Sequence, residues 1–279
     1  MSLVGAFAAS HAPGITARPS LPPAAESDPI FRAYDELRAR VAAAQPDVWV
    51  VVSSEHWANF FLDNMPSFCV GISDEFFGPT DEKFVNIPRR GVRGHARLAR
   101  ALVEGVAEEV DLSTSQEMAL DHGVMLPLHM LRTELPVIPI IVNCLAGIPA
   151  PLHRCHALGA AIRREVDRWP ERVALLGSGG LSHWPAMPES GRIGIDFDRR
   201  FLDAFIGGRI EGFLRYPKEK LEAEAGPGGH EIRTWITVAG AANGARGSLL
   251  AYQPVPAWST GCAVAALQVE AVVKQAERK

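Results

Sequence analysis

The chain has 279 residues, of which 47% are hydrophobic and 22% are charged, and its formal net charge is −4 at pH 7. This composition is typical of a globular protein that buries a substantial core. The slightly acidic balance argues against nucleic acid as a partner, because phosphate binding needs clustered lysines and arginines. No apolar run reaches the roughly 20 residues that a membrane-spanning helix requires, so a membrane is not an expected partner.

Short apolar runs alternate with helical patterns along most of the chain. The runs predict four buried strands, at residues 3–9, 47–53, 137–143 and 173–177. Helices are predicted at 28–44, 94–108, 152–169, 196–205, 218–224, about 231–241 and 263–277. Near-continuous apolar runs suit parallel strands that are buried on both faces. We therefore predict a single α/β domain over residues 1–279, with a central, mostly parallel sheet flanked by helices.

Two further features bear on location and assembly. The four cysteines are scattered and form no C-x-x-C pair, and the segment MSLVGAFAASHAPG lacks a basic start. These features predict reduced thiols in a cytoplasmic protein. The predicted helix at 263–277 is apolar first and charged later, which suggests packing on the outside of the domain and favours a homo-oligomer.

Four of the nine histidines stand where strands end or turns begin. His11, His56 and His183 follow three of the predicted strands, and His122 opens the stretch HGVMLPL. Because the carboxyl ends of parallel strands meet at one edge of a sheet, we expect these imidazoles to converge there. Imidazole is both a frequent metal ligand and a proton carrier near neutral pH. The alternative is that each ring only makes structural hydrogen bonds.

A metal site with two histidines usually includes an anionic ligand, and three carboxylates are candidates. Glu55 adjoins His56 on a short loop, so the two side chains should point apart. Asp121 adjoins His122 and could orient that ring. Glu231 follows the glycines of GPGGH at a helix start and is the preferred candidate, although spacing alone leaves the choice open. Two histidines and one carboxylate form the facial triad of non-haem Fe(II) oxygenases.

Five motifs together resemble one known family. SHAPG, SSEHWANFFLDNMPSFCVG, DHGVMLPL, GSGGLSHWP and GGHEIRTWI occur in this order from His11 to the region of Trp258. They resemble the class III extradiol ring-cleaving dioxygenases, the family of the protocatechuate 4,5-dioxygenase beta subunit and 2,3-dihydroxyphenylpropionate 1,2-dioxygenase. Each motif alone is weakly specific, but five in order make the resemblance strong.

The resemblance implies roles for individual residues. It implies three protein ligands for Fe(II), taken from the first, second and last motifs: His11, His56 and Glu231. It implies that His183 is the acid–base catalyst and that His122 assists, with Asp121 beside it. The family fold is a single α/β domain, in agreement with the alternation of strands and helices.

The resemblance also implies a reaction and its partners. The reaction is cleavage of an aromatic diol beside its two hydroxyls, with both atoms of O2 incorporated, in aromatic-compound catabolism. The ring could be of the protocatechuate, gallate, dihydroxyphenylpropionate, aminophenol or hydroxypyridone type. Trp57 and Trp184 directly follow site histidines and are expected to line an aromatic pocket, unless they only pack the core. The protocatechuate enzymes use a small second subunit, so such a partner remains open.

Two competing hypotheses come from other functional classes. A zinc-dependent hydrolase on the same scaffold would use the same residues, since zinc accepts two histidines and a glutamate with an open position. A non-catalytic binding protein is the second, because a fold does not by itself imply an activity. Metal analysis combined with oxygen uptake on catechols discriminates among the three.

Overall fold

An eight-stranded sheet forms the centre of the structure, a computed structural model that describes residues 2–144 and 147–269. The strands within these residues are β1 (Leu3–Ala9), β2 (Val48–Ser54), β3 (Phe68–Gly71), β4 (Glu75–Gly78), β5 (Arg90–Arg93), β6 (Ser113–Ser115), β7 (Val137–Val142), β8 (Val173–Ser178), β9 (Gly247–Val255) and β10 (Thr260–Leu267). The sheet order is β6-β3-β7-β2-β8-β1-β10-β9, and β4 pairs with β5 in a separate ribbon. The predicted α/β class with a mostly parallel sheet is confirmed.

Helices cover both faces of this sheet. The α-helices among the described residues are α1 (Gly14–Ala17), α2 (Ala24–Ala44), α3 (Glu82–Val85), α4 (Ala96–Val106), α5 (His122–Leu131), α6 (Leu152–Val166), α7 (Ile195–Ile206), α8 (Lys218–Ala225) and α9 (Ile232–Ala242). Five of the predicted helices agree with α4, α6, α7, α8 and α9 to within a few residues at each end, and α2 begins four residues earlier than predicted.

The four central strands β7, β2, β8 and β1 run parallel, and their side chains alternate between two cores. In β2, Val48, Val50 and Val52 face a core that includes residues of α4, α6, α7 and α9. Trp49 and Val51 face the opposite core with α2 and α5. Burial on both faces explains why these strands are continuous apolar runs in the sequence. It also places all four carboxyl ends at one edge.

The predicted helix at 263–277 is wrong over its first residues. Residues Thr260–Leu267 form β10, which pairs antiparallel with β1 on one side and with β9 on the other. The segment AVAAL has no decisive periodicity, so two backbone ladders override the helix propensity of its alanines. Residues 270–277 of that prediction lie outside the described part of the chain.

Helices α6 and α9 touch through their backbones. A Cβ at Gly159 in α6 would collide with the carbonyl oxygen of Thr237, and a Cβ at Gly240 in α9 would collide with the carbonyl oxygen of His156. Glycine at both positions therefore permits an approach that no other residue allows. Helix α9 directly follows Glu231, so this contact fixes the helix from which that carboxylate projects.

The structure also bears on the membrane and on the cysteines. None of the helices within residues 2–144 and 147–269 combines the length and apolar character needed to cross a bilayer. The four cysteines are unpaired and buried.

Candidate metal centre

Three loops bring histidines to the carboxyl edge of the parallel strands. His11 comes two residues after the end of β1, and His56 comes two residues after the end of β2. The strand β8 lies between them in the sheet and leads into the turn that carries His183. The ring centroids of His11 and His56 are 5.0 Å apart, with the planes almost perpendicular. The convergence predicted from the sequence is therefore present.

The carboxylate of Glu231 lies between these histidines. Its Oε2 is 3.2 Å from Nε2 of His11, and its Oε1 is 3.2 Å from Nε2 of His56. The backbone amide of Gly180 donates a hydrogen bond of 2.5 Å to Oε2, and Oγ of Ser54 donates one of 3.2 Å to Oε1. Both carboxylate oxygens are thus held in place by groups on β2 and on the turn after β8.

The charge of Glu231 is buried and has only imidazoles as ion-pair partners among the described residues. Burial raises the pKa of Glu231, but His11 and His183 outweigh this effect and hold the pKa well below its usual value. Burial lowers the pKa of His11. Burial also acts to lower the pKa of His56, but Asp121 and Glu231 outweigh it and raise that pKa above its usual value. An ionised buried carboxylate needs a compensating cation, and a divalent metal between these nitrogens and oxygens would supply it.

His56 and His11 are oriented by their second ring nitrogens. Nδ1 of His56 donates to Oδ2 of Asp121 at 3.0 Å, and Nδ1 of His11 lies 2.8 Å from Oγ of Ser178. Burial raises the pKa of Asp121, but His56 reverses the effect and lowers it to about 2. An ionised carboxylate behind a histidine fixes the ring and its tautomer, as is usual in metal sites. Nε2 of His56 is left facing Glu231.

Asp121 therefore does not orient His122, which corrects the sequence-based expectation. Its Oδ2 binds His56, while its Oδ1 accepts from the amide of Gly123 at the start of α5. Nδ1 of His122 instead meets Oδ2 of Asp81 at 2.5 Å. The side chain of an N-cap residue accepts from an amide of the first helical turn. This bond holds the Asp121 carboxylate away from the ring of the next residue.

His122 lies against the other two rings. Possible ligand nitrogens of His11, His56 and His122 all fall within 4.8 Å of one another. The rings of His56 and His122 are 4.1 Å apart and tilted by 35°, so their faces overlap in part. The residues brought together thus contain two candidate ligand sets that share His11 and His56, completed either by Glu231 or by His122.

The turn after β8 presents His183 to the same place. Nδ1 of His183 donates to the carbonyl oxygen of Leu181 at 2.9 Å, because a carbonyl only accepts. The lone pair is then on Nε2, which lies 3.8 Å from Oε1 of Glu231. A Cβ at Gly228 would collide with this ring. Glycine at this position therefore leaves room for the imidazole.

The turn is anchored by a buried carboxylate on α7. Oδ1 of Asp198 accepts from the amide of Ser182 at 2.9 Å, and Oδ2 accepts from Oγ of Ser182 and from the hydroxyl of Tyr252, each at 2.8 Å. Oγ of Ser182 also accepts from the amide of Gly194. Burial raises the pKa of Asp198 to about 6, although the hydrogen bonds from Ser182 oppose this shift.

This pKa predicts a pH-dependent contribution to stability. The folded protein keeps the Asp198 proton up to about pH 6, whereas the ordinary value of 3.8 applies to the unfolded chain. The stabilisation is therefore complete below pH 3.8 and is lost as the pH rises through 6. Its size is about 3 kcal/mol, at about 1.4 kcal/mol per pKa unit. We expect Asp198→Asn to become more stable relative to the wild type by that amount between pH 4 and pH 7.

Denaturant unfolding at several pH values measures this difference. Asp196→Asn, an exposed carboxylate in the first turn of the same helix, is the matched control. Parallel stability curves for the wild type and Asp198→Asn would show that the buried carboxyl does not titrate as stated.

The remaining sequence candidates lie apart from this cluster. Glu55 is buried, but its Oε1 accepts from the amides of Ala58 and Asn59, so it orders its own loop. Trp184 is 5% exposed and packs under the guanidinium of Arg192. Trp57 is 45% exposed and stacks on Phe61, with a ring separation of 6.3 Å. A role for either tryptophan in binding substrate stays a prediction.

Sequence reasoning missed three groups at the site. These are Asp81 beside His122, Asp198 beneath the turn, and the serines of the strand ends. Asp81 lies 41 residues before its partner in an ordinary helix start, TDEKF, so no local pattern indicates it. Ser54 and Ser178 end apolar runs, which is a weak signal for a polar edge.

Comparisons with known proteins decide the family. The family described as "Catalytic LigB subunit of aromatic ring-opening dioxygenase" matches residues 5–263. The chain belongs to this family. Its members are ring-opening dioxygenases, so the chain is an oxidoreductase. The described residues include a histidine cluster suited to binding a metal ion.

Curated relatives agree with this membership. A protein of Pseudomonas putida, 2,3-dihydroxyphenylpropionate/2,3-dihydroxicinnamic acid 1,2-dioxygenase 1, is 32% identical over 85% of this chain and 89% of its own length. Similarly named proteins from Cupriavidus necator and Paraburkholderia xenovorans strain LB400 are 31% and 30% identical. They cover 84% and 82% of this chain and 89% and 87% of their own lengths.

A solved structure supports the fold. The crystal structure of the uncharacterized protein JW3007 from Escherichia coli K12 aligns with a TM-score of 0.56 at 16% identity. The alignment covers 85% of this chain and 91% of the other. At this identity the likeness concerns the architecture alone.

Proposed function

We propose that this protein is a non-haem Fe(II)-dependent extradiol dioxygenase that opens a catechol-type ring beside its two hydroxyls, with O2 as co-substrate. Fe(II) is held by His11, His56 and Glu231. The observation that carries the proposal is the position of the Glu231 carboxylate, 3.2 Å from Nε2 of each histidine.

These distances suit three ligands on one face of an ion. Nitrogen and oxygen ligands lie about 2.1 Å from a first-row divalent ion such as zinc, so two of them at right angles are about 3.0 Å apart. Each imidazole nitrogen lies at about that spacing from one carboxylate oxygen, His11 from Oε2 and His56 from Oε1, at 3.2 Å in both cases. Such a triad leaves the opposite positions free for substrate, which is the feature that non-haem Fe(II) oxygenases require.

The alternative set with His122 is less favourable geometrically. The lone pair of an imidazole nitrogen lies in the ring plane, so rings that bind one ion must point their edges at it. The rings of His56 and His122 are tilted by only 35° at a separation of 4.1 Å, whereas those of His11 and His56 are almost perpendicular. Leaving His122 without a metal bond also keeps its imidazole available for proton transfer.

The protein's own groups account for the proton steps. When bound, Fe(II) supplies the redox chemistry that couples O2 to an electron-rich diol. His183 holds a lone pair on Nε2 beside Glu231, where it accepts a proton from a substrate hydroxyl and later returns it. Nδ1 of His122 is occupied by Asp81, so Nε2 is the atom that exchanges a proton. Asp121 keeps His56 oriented throughout.

The test is a direct assay of the iron-loaded enzyme. The metal-free protein is loaded anaerobically with Fe(II) and then given oxygen and a panel of diols, beginning with 2,3-dihydroxyphenylpropionate and protocatechuate. We expect uptake of one O2 per ring and a yellow ring-opened product. Protein that takes up one iron per chain but opens none of the diols would contradict the proposal.

The same assay separates the zinc-hydrolase hypothesis. A zinc enzyme would consume no oxygen and would be active after loading with zinc in the absence of iron. We expect the zinc-loaded protein to be inactive on every diol, because zinc has no redox chemistry. A non-catalytic binding protein would retain a diol without consuming oxygen.

The proposal also covers the domain extent, the assembly and the cellular location of the protein. We infer one catalytic domain over residues 1–279, a homo-oligomer in a cytoplasmic setting, and room for a small second subunit. The first residues of the helix predicted on the outside of the domain form β10 instead, so assembly is not inferred from that helix. We expect sedimentation at micromolar concentration to show a dimer or larger species, and an active monomer would contradict it.

A further inference from the structure

The side chain of Asp81 meets His122 at the wall of the site. Oδ2 of Asp81 is 2.5 Å from Nδ1 of His122, and the ring is 8% exposed. Because an ionised carboxylate only accepts hydrogen bonds, Nδ1 must carry the proton. The lone pair is then on Nε2, at the far side of the ring from Asp81.

The carboxylate of Asp81 has no competing partner among the described residues. Its Oδ1 is buried without a hydrogen bond, so His122 provides the one hydrogen bond that the structure gives this side chain. Asp81 is the N-cap residue of α3, yet its side chain makes no capping hydrogen bond. The carboxylate is therefore committed to the imidazole and not to the helix.

The segment that carries Asp81 is fastened to the segment that carries His122. The amide of Leu120 donates to the carbonyl oxygen of Phe77 at 3.0 Å, and the amide of Thr80 donates to the carbonyl oxygen of Leu120 at 2.9 Å. In the next turn, the ring of Phe84 meets the ring of His122 at a separation of 5.7 Å, edge to face. His122 is thus held from one side by a carboxylate and an aromatic ring.

We propose that Asp81 is a positioning residue for ring opening: its carboxylate holds the His122 imidazole in one orientation and in the Nδ1–H tautomer, so that Nε2 is free to exchange a proton with the substrate. This inference rests on the proposed function for its chemical consequence, whereas the orientation of the ring stands on the contacts above. Asp81 acts through His122 and does not touch the substrate.

The structure assigns different partners to two carboxylates near His122. Asp121 is adjacent to His122 in the chain but binds His56, a proposed metal ligand. Asp81 is distant in the chain and binds a ring outside the proposed ligand set. Removal of Asp121 should therefore weaken iron binding, whereas removal of Asp81 should leave iron binding intact and slow the reaction.

The experiment compares Asp81→Asn, Asp81→Glu and the matched control Glu82→Gln in the full-length, iron-loaded protein. Glu82 is the next residue along, is exposed, and has the same charge. For Asp81→Asn we expect kcat on an active diol to fall about 10- to 100-fold, less than the 10²–10⁴-fold that loss of an acid–base group costs. KM and iron content should stay within about threefold of the wild type.

The two other variants test whether the carboxylate itself matters. Asp81→Glu restores a carboxylate at a position where the side chain is 26% exposed, so it should recover part of the lost kcat. Glu82→Gln should match the wild type. Because an amide donates as readily as it accepts, ¹⁵N NMR of the metal-free full chain should show Nδ1–H for His122 in the wild type and a mixture of tautomers in Asp81→Asn.

Several results would overturn the inference. They are an unchanged kcat in Asp81→Asn, an equal loss in Glu82→Gln, loss of iron in Asp81→Asn, or a His122 tautomer that ignores the substitution. A wild type that opens no diol would instead overturn the proposed function, while the NMR comparison would still decide whether Asp81 sets the His122 ring.

Discussion

Replacement of His11 by alanine is expected to abolish stoichiometric binding of iron and, with it, ring opening. The change removes one of two nitrogens that lie 3.2 Å from the Glu231 carboxylate. Loss of an orienting partner of a ligand costs about 10- to 100-fold in metal affinity or activity, so loss of the ligand itself should exceed about 100-fold. Metal analysis after anaerobic loading and desalting measures the affinity.

His153→Ala is the control for this experiment. His153 is an exposed residue of α6 and has no place in the cluster, so the variant should bind one iron per chain. Melting temperatures of both variants show whether the fold persists. Full iron content and normal turnover in His11→Ala would mean that the iron is held by other residues.

Replacement of His183 by glutamine should leave iron and substrate bound but slow ring opening. The ring sits 3.8 Å from Glu231 and is held by the Leu181 carbonyl, a position beside the proposed ligands and not among them. General acid–base catalysis is worth about 10²–10⁴-fold, so kcat should fall within that range while KM changes little. A proton-transfer group acts mainly in the transition state, which is why the effect should concentrate in kcat.

One preparation of His183→Gln decides between catalysis and packing. Iron content, melting temperature and kcat are measured on the same protein. If His183 only packs, the melting temperature should drop while the folded fraction turns over normally. If it is instead a metal ligand, iron and turnover should disappear together. Either pattern would remove His183 from the proton-transfer role.

The fold was predictable where burial leaves a simple pattern. Strands β1, β2, β7 and β8 agree with the predicted runs to within one residue at each end, because strands buried on both faces must be continuously apolar. Strand β10 was not predictable, because its alanine-rich sequence fits a helix equally well and only its pairing with β1 and β9 decides. Tertiary pairing overrides local propensity in such segments.

The site was predictable to the extent that its residues follow strand ends or match a family motif. His11 and His56 follow strand ends and lie in family motifs, and Glu231 lies in a family motif. The structure brings the three side chains into contact. The partner of each imidazole was not predictable. Asp121 reaches across 65 positions to His56, and Asp81 reaches across 41 to His122. Such pairings depend on which loops the fold places side by side, and adjacent residues on a helix start point in different directions.

The close approach of α6 and α9 at Gly159 and Gly240 affects how mutational sensitivity should be interpreted in this protein. Helices α6 and α9 meet backbone to backbone, and α9 follows Glu231 directly, so one methyl group added at either glycine would shift the base of that carboxylate. A saturation mutagenesis screen scored on activity alone would rank both glycines beside the histidines, although neither carries a functional group. Positions intolerant to substitution would then include residues of α9, the helix that supports the proposed metal centre, as well as the residues that take part in the reaction.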